Sequence, residues 1–295
     1  MTASRYLSGH LWQRLGASIL LLAAFALSVA AQQPAPSSPS SPVSIVRQAT
    51  ETELHSDPQA HLFAWKERKI ESTGTRVQNL VETPAGVLTR VVLINDKPLD
   101  EKQRKAEAER VRKMLEPAQL ARKKKETAED DERTRKMLAS IPDAFDFALL
   151  DSRVALNGHK IAHLKFTARP GYNPPNREAM VFTGMQGEIF VDEDAHRLVK
   201  IDGVLFKEVN FGWGILGRLY KGGRFFVEQS EVAPGHWDTT HMILHFDGKV
   251  LLVKPLHIED DSSSWDYRPV PPMSSEQAMD YLSRDPSAQH AQLQH

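Results

Sequence analysis

Alternating apolar and polar positions dominate the second half of the chain and predict a run of antiparallel strands over residues 179–267. Turn residues interrupt the alternation at intervals suited to hairpins. The three predicted hairpins join 187–192 to 198–206 through Asp192–Ala195, 225–232 to 237–246 through Ala233–Gly235, and 237–246 to 249–258 through Asp247–Gly248. The rest of the chain is organised around this stretch.

The first half contains shorter strand signals with the same period. The segments 61–72, 75–82 and 87–94 are separated by Gly74 and by Pro84–Gly86, which predicts a three-stranded meander. A further hairpin is predicted to join 147–156 to 159–168, because Asn157–Gly158 is a strong signal for a tight turn. Ile161, Leu164 and Phe166 do not share one phase, so we expect a bulge or a change of face near His163.

Helical periodicity occurs in three places. A short helix is predicted from Ser44, and another over 274–282. Between them, residues 100–139 are dominated by charges of both signs, and their one narrow apolar stripe consists of Val111, Met114, Leu115 and Ala118. Pro117 should start, kink or divide a helix there. This insertion is either a mobile lid or partner-binding arm, or a solvated helix resting on the sheet, and mixed-sign charge favours the second interpretation.

The pattern gives a fold class and a domain organisation. We expect an α+β fold that is mainly antiparallel β. Residues 1–31 are interpreted as a secretory signal peptide, since Arg5 and Arg14 precede an apolar run that ends in small residues; an uncleaved membrane anchor is the alternative. A Pro- and Ser-rich linker (32–43), one domain (44–272) with the charged insertion, and a C-terminal tail (273–295) of a short helix and then disorder complete the prediction.

Composition removes several classes of function. The chain has no cysteine, which excludes disulfides and thiolate chemistry, and 37 Lys and Arg against 38 Asp and Glu give no reason to expect a nucleic-acid partner. His241 and His245 lie in a strand-like segment, where residues four apart are about 13 Å from each other and cannot share a metal ion. We find no catalytic motif, metal site or cofactor motif, and therefore expect no enzyme.

One segment has a composition suited to ligand binding. Phe211, Trp213, Ile215 and Leu216 alternate with glycines that keep the backbone close and flexible. These residues either fill the core at a strong bend of the sheet, or line the mouth of an apolar cavity for a lipid-like ligand, and both can be true. We take all four as candidate ligand-binding residues.

The hairpin Gly187–Asp192 followed by Arg197–Ile201, in which one strand ends in Val-Asp and the next begins Arg-Leu, resembles a hairpin of the periplasmic lipoprotein-carrier (LolA/LolB-like) superfamily, of the outer-membrane lipoprotein-sorting type. The resemblance covers most of residues 44–267. It implies an incomplete, curved antiparallel barrel whose concave face is covered by helices, with acyl chains accommodated between them. The insertion at 100–139 departs from that pattern.

The resemblance implies a function as well. The expected protein is an exported, monomeric carrier of the periplasm or cell envelope that binds a lipid or an acylated lipoprotein without catalysis, with envelope membrane proteins as further partners. The alternative is an envelope protein-interaction or stress-sensor module that has the same fold and a filled core.

Overall fold

The computed structural model describes residues 41–56, 62–154, 158–212, 216–251 and 254–284. The predicted signal peptide, residues 32–40 of the predicted linker and the end of the predicted tail lie outside these ranges. All described residues belong to one compact unit.

Local sequence signals account for where the helices begin. The helices are α1 (Pro42–His55), α2 (Glu101–Met114), α3 (Pro117–Ala144) and α4 (Ser275–Arg284), with a 3₁₀ helix at Glu178–Gly184. Ser41 caps α1 by accepting a hydrogen bond from the Ser44 amide, and Asp100 forms a capping box with Gln103 at the start of α2. Pro117 opens α3, where its missing N–H group costs nothing, and so divides the charged insertion into two helices.

The strands form one antiparallel sheet. They are β1 (Leu62–Glu71), β2 (Gly74–Thr83), β3 (Gly86–Ile94), β4 (Lys97–Pro98), β5 (Phe145–Val154), β6 (Lys160–Ala168), β7 (Met185–Asp192), β8 (Arg197–Leu205), β9 (Val209–Phe211), β10 (Gly217–Leu219), β11 (Arg224–Ala233), β12 (His236–Val250) and β13 (Lys254–Val270). Their order is β4-β3-β2-β1-β13-β12-β11-β8-β7-β6-β5, and the small β9–β10 pair attaches to β12 through β10. The two ends of this order do not pair, so the sheet is open.

Most of the predicted hairpins are confirmed, and one is wrong. The meander of β1 to β3, the β7–β8 hairpin and the β11–β12 turn at residues 234–235 lie where the sequence predicts them. The predicted turn at Asp247–Gly248 does not exist, because β12 continues to Val250 and Gly248 pairs with Leu256 of β13. A Cβ atom on Gly248 would lie 2.1 Å from the backbone oxygen of Arg218, so this glycine serves the close approach of β10 rather than a turn.

The bulge expected near His163 is present. Leu149 pairs with Leu164 and Asp151 pairs with His163, which leaves Leu150 of β5 as the extra residue opposite β6. The turn residues 155–157 of this hairpin lie outside the described ranges.

Helix α1 covers one face of the sheet, which we call the front face. Leu164, Ile189 and Ile201, which pair across β6, β7 and β8, define it. Val46 and Ala49 of α1 have no exposed surface and pack with these strands, together with Ala144 at the end of α3. Phe145 and Phe166 meet edge to face, with ring centroids 4.7 Å apart. This front-face core supports β7, β8 and the β9–β10 pair.

A smaller core lies on the back face at the other end of the sheet. The pairing of successive strands places Ala64, Val81 and Leu88 on the face opposite to that of Leu164. Helix α4 packs there through Ala278, Met279 and Leu282. The predicted antiparallel α+β fold with an open, incomplete barrel is confirmed, and the register adds that helices pack on both faces.

The charged insertion protects the edge of the sheet beyond the two-residue strand β4. Glu107 accepts a hydrogen bond from the Val91 amide at 2.8 Å, and Arg110 donates to the Thr89 carbonyl at 2.8 Å. Lys123 of α3 donates to the Val87 carbonyl. Val111, Met114 and Leu115 of the predicted stripe pack against the back-face core. Side chains of the insertion therefore occupy backbone groups of β3 that would otherwise be open to another strand.

Among the described residues, no helix is long and apolar enough to cross a membrane.

Candidate functional site

The segment with candidate ligand-binding residues folds as a small hairpin at one end of β12. In this hairpin Phe211 of β9 pairs with Gly217 of β10, and the Leu216 amide donates to the Phe211 carbonyl at 3.2 Å. Val209 and Leu219 anchor it, because both are buried in the front-face core. Gly212 has φ +55°, a conformation that favours glycine, and a Cβ atom there would meet Leu216 at 2.7 Å.

The two predicted site residues that the structure describes, Phe211 and Leu216, differ in burial. Phe211 is partly buried and packs against the front-face core, whereas Leu216 is 44% exposed at the tip of the hairpin. Trp213 and Ile215 lie outside the described residues. Of the two described candidates, one therefore fills the core and the other faces solvent.

A groove of about 530 Å³ runs beside this hairpin, and its described lining consists of Met180, Asn210, Gly212 and Arg218. Its volume lies within the range of small-molecule sites, about 300 to 1,000 Å³. Met180 comes from the 3₁₀ helix and also packs against the core, which gives the groove an apolar wall. Asn210 and Arg218 are cross-strand partners and supply the polar groups.

Arg218 is the charged residue in the described lining of the groove. Its guanidinium lies 3.4 Å from the Glu208 carboxylate, and the two side chains are 46% and 47% exposed. An ion pair this exposed is worth about 0–1 kcal/mol, so an anionic ligand group can replace Glu208 at little cost. The arrangement suits an apolar chain with an anionic end, since Met180 provides the apolar contact and Arg218 the cation.

A second cluster, which the sequence did not predict, contains half-buried ionisable groups. Glu82 of β2 accepts a hydrogen bond from the Phe63 amide at 2.9 Å. The pKa of Glu82 is raised to about 7, mainly by burial; the hydrogen bond from the Phe63 amide lowers it and the charge of Asp238 adds a smaller rise. Burial also raises the pKa of Asp238 on β12 and that of Tyr267 on β13. This cluster can take up or release a proton near neutral pH.

Two stacked pairs of rings lie on the strands next to these groups, β1, β12 and β13. Phe63 stacks on His236 with ring centroids 4.0 Å apart, and Trp65 stacks on Tyr267 at 5.7 Å. Tyr267 donates its hydroxyl hydrogen bond to the Thr239 carbonyl at 3.1 Å. Burial is the largest cause of the raised pKa values of Glu82, Asp238 and Tyr267. None of these residues is among the described lining of the groove.

The histidine pair considered in the sequence does not converge on one point. His241 lies 3.5 Å from Asp261, and His245 lies 3.5 Å from Asp247. Phe246, next to His245 on β12, is buried in the front-face core. Over the described ranges, no group of three or more His, Asp or Glu side chains is arranged to hold a metal ion.

Sequence reasoning missed Met180, Asn210 and Arg218 for a physical reason. Met180 reaches the groove because the 3₁₀ helix packs beside β9, and nothing in the local pattern of residues 178–184 signals this contact. The one sequence signal for this groove was the set of closely spaced glycines around Gly212, because such glycines mark places where the backbone approaches a neighbouring segment closely.

Comparisons with known proteins leave the family open. No family model matches the chain, and no curated protein matches its sequence. A crystal structure of a DUF1329 family protein from Desulfovibrio piger is 11% identical, with 86% of this chain and 99% of that chain covered and a TM-score of 0.26. MucB in complex with MucA(peri) is 9% identical, with 78% of this chain and 99% of that chain covered and a TM-score of 0.21. TM-scores this low do not establish a shared fold, so the resemblance to lipoprotein carriers stays a prediction.

Proposed function

We propose that this chain is an exported, non-enzymatic binding protein of the cell envelope that carries an acyl chain of a lipid or lipoprotein in the hairpin groove. One observation carries the proposal: a groove of about 530 Å³ combines the apolar Met180 with the exposed guanidinium of Arg218. An acylated molecule complements both residues: its apolar chain can contact Met180, and the anionic or polar end that most lipids carry can bind Arg218.

The expected energetics fit a carrier. Each methylene buried in the groove contributes about 0.8 kcal/mol before the costs of ordering the ligand are subtracted. A chain of several methylenes therefore gives useful affinity without a specific head-group site, and Arg218 adds a preference for anionic ends.

Two variants test the groove directly. Asn210 is exposed on β9 and lines the groove, so Asn210→Trp fills the space with little effect on the core. Arg218→Glu reverses the charge. We expect each variant to weaken binding of a fluorescent fatty acid at least about tenfold, which corresponds to 1.4 kcal/mol. Arg153→Glu, on an exposed side chain of the distant strand β5, is the matched control and should bind as the parent does.

Unchanged fatty-acid binding by both groove variants, with the circular dichroism of the parent, would show that the acyl chain binds elsewhere. If the parent protein takes up no fatty acid at all, the carrier function is ruled out.

A second candidate function, an envelope protein-interaction module, is favoured by helix α2, none of whose residues is buried. A partner would bind the outer side of α2, where Lys105 is 77% exposed and Arg112 is 65% exposed. Deleting the insertion would uncover β3, so charge reversal is the cleaner test. Lys105→Glu combined with Arg112→Glu should abolish cross-linking to an envelope protein and leave fatty-acid binding unchanged. Cross-linking that survives this change would count against the interaction module.

A further inference from the structure

Two exposed leucines leave the sheet at the same end. Leu216 follows the tip of the β9–β10 hairpin, and Leu251 follows the last residue of β12. The Leu251 amide donates a hydrogen bond to the Leu216 carbonyl at 3.4 Å, so the two residues are neighbours. Their exposed fractions are 44% and 66%, and both side chains thus project from the core rather than into it.

The fold does not explain the leucine at position 251. Its φ is +49°, a left-handed conformation in which glycine and asparagine are favoured and leucine is strained. Its side chain gains little from packing, because two thirds of it faces solvent. A leucine at a strained, exposed turn lowers the stability of the fold. We therefore look for its purpose in an interaction with another molecule.

Cations surround the two leucines. Arg218 lies directly opposite Lys249 in the β10–β12 pairing, so these two side chains share one face of the sheet. Lys254 pairs with Val250, the neighbour of Lys249, and therefore lies on the other face. Like charges opposite each other destabilise a sheet. Within the described ranges, neither lysine has a carboxylate within ion-pair distance, and Arg218 faces Glu208 alone. This end of the sheet therefore carries two cations and one carboxylate on one face and a third cation on the other. An external anion would relieve the repulsion between Arg218 and Lys249.

We propose that this leucine–lysine tip, formed by Leu216, Arg218, Lys249, Leu251 and Lys254, is a docking surface for a lipid bilayer with anionic head groups. Leucine side chains that project beyond a basic rim can enter the boundary between head groups and acyl chains. The lysines then lie at the level of the phosphates, where their long aliphatic stems contact apolar surface and their ammonium groups bind anions.

The chemistry of the tip favours a bilayer over a protein partner. A specific protein interface buries about 800 Å² on each side and is depleted in lysine. Two leucines and a lysine-rich rim provide neither the area nor the composition of such an interface. A bilayer needs only a small apolar insertion plus basic charge, and each cation near an anionic surface improves binding about fivefold. This inference shares Arg218 with the groove, but its test changes Leu251, Lys249 and Lys254, none of which is in the described lining of the groove, so its failure and that of the proposed function can be told apart.

Vesicle sedimentation tests the proposal with the protein as purified. We expect binding to vesicles of phosphatidylglycerol and phosphatidylcholine in equal parts, and much weaker binding to phosphatidylcholine alone. Lys249→Glu combined with Lys254→Glu should weaken binding to the anionic vesicles at least about twentyfold. Salt at about 1 M, where the Debye length is about 3 Å, should remove most of the parent's binding.

The variant Leu251→Asn separates docking from folding. Asparagine adopts positive φ at a lower energetic cost than leucine, so the variant should be at least as stable as the parent. Because it lacks the apolar side chain, it should bind anionic vesicles about fivefold more weakly. Leu149→Asn, at a leucine that is 49% exposed on β5, is the matched control and should bind as the parent does. Equal vesicle binding by the parent, Leu251→Asn and the double lysine variant would overturn the proposal. Absence of vesicle binding by the parent would overturn it too.

Discussion

Nδ1 of His159 lies 2.7 Å from Oδ2 of Asp192, whose side chain is only 1% exposed. The other oxygen of this carboxylate accepts hydrogen bonds from the amides of Asp194 and Ala195, at 3.0 and 2.8 Å. Asp192 is thus the last residue of β7 and stabilises the turn into β8. It also contacts His159, the residue that precedes β6. The hydrogen bond to Asp192, followed by its charge, raises the pKa of His159.

Replacing Asp192 tests how much the turn depends on it. Asp192→Ala removes the acceptor of two backbone amides and the partner of Nδ1 of His159, and we expect a loss of about 2 to 4 kcal/mol in the free energy of unfolding. Asp192→Asn keeps an acceptor for the amides and removes the charge, so its loss should be clearly smaller. Urea unfolding followed by circular dichroism measures both. Equal losses in the two variants would mean that the charge on Asp192, and not the turn geometry, is what matters.

The pKa of Glu82 gives a pH dependence with a defined sign. A folded-state pKa of about 7, raised from 4.5 by burial, means that Glu82 contributes stability at low pH and that this contribution is lost as the pH rises through about 7. Glu82→Gln, which keeps the acceptor for the Phe63 amide, should therefore match the parent near pH 4.5 and exceed its stability at pH 8. The expected gain is about 1 to 2 kcal/mol, after discounting for the solvent that reaches the side chain. Urea unfolding at the two pH values checks this, and a gain of the same size at both would contradict it.

The contacts between the charged insertion and β3 predict that the protein self-associates when they are removed. Arg110→Ala combined with Lys123→Ala removes the donors to the Thr89 and Val87 carbonyls and leaves them open at the edge of the sheet. We expect self-association through this edge, because unpaired strand edges are templates for another strand. Lys102→Ala combined with Arg122→Ala, on exposed helix positions, is the control. Light scattering at rising protein concentration measures the effect, and a double variant at Arg110 and Lys123 that stays as monodisperse as the control would argue against edge protection.

The close contact at Gly248 predicts how β10 is held. Gly248→Ala places a methyl group 2.1 Å from the Arg218 backbone oxygen, so β10 must move away from β12, at a cost of about 1 to 3 kcal/mol. Gly217→Ala is the matched control, because its nearest neighbour, the Lys249 oxygen, is 3.4 Å away. Thermal unfolding of both variants tests this. Comparable stability of Gly248→Ala and the parent would show that β10 packs less tightly.

The sequence predicts the fold well where a signal is local. Turns at 192–195 and 233–235 and the start of α3 at Pro117 follow from the conformational preferences of the residues themselves. The Asp247–Gly248 prediction failed because a glycine that allows close backbone approach has the same sequence signature as one that allows a turn.

The candidate site was less predictable, because its features depend on contacts between distant parts of the chain. Leu216 was identified from composition, but Met180 and Arg218 meet in the groove only through the packing of the 3₁₀ helix beside the hairpin. The raised pKa values of Glu82 and Asp238 likewise arise from burial created by pairing among β1, β2, β12 and β13.

Whether the hairpin groove holds an acyl chain is tested most directly by the mass of the protein taken from the cells that make it. Native mass spectrometry followed by organic extraction should give one acylated molecule per chain from the parent and a clearly smaller amount from Asn210→Trp. An unliganded mass for the parent, together with no uptake of added fatty acid, would contradict the account.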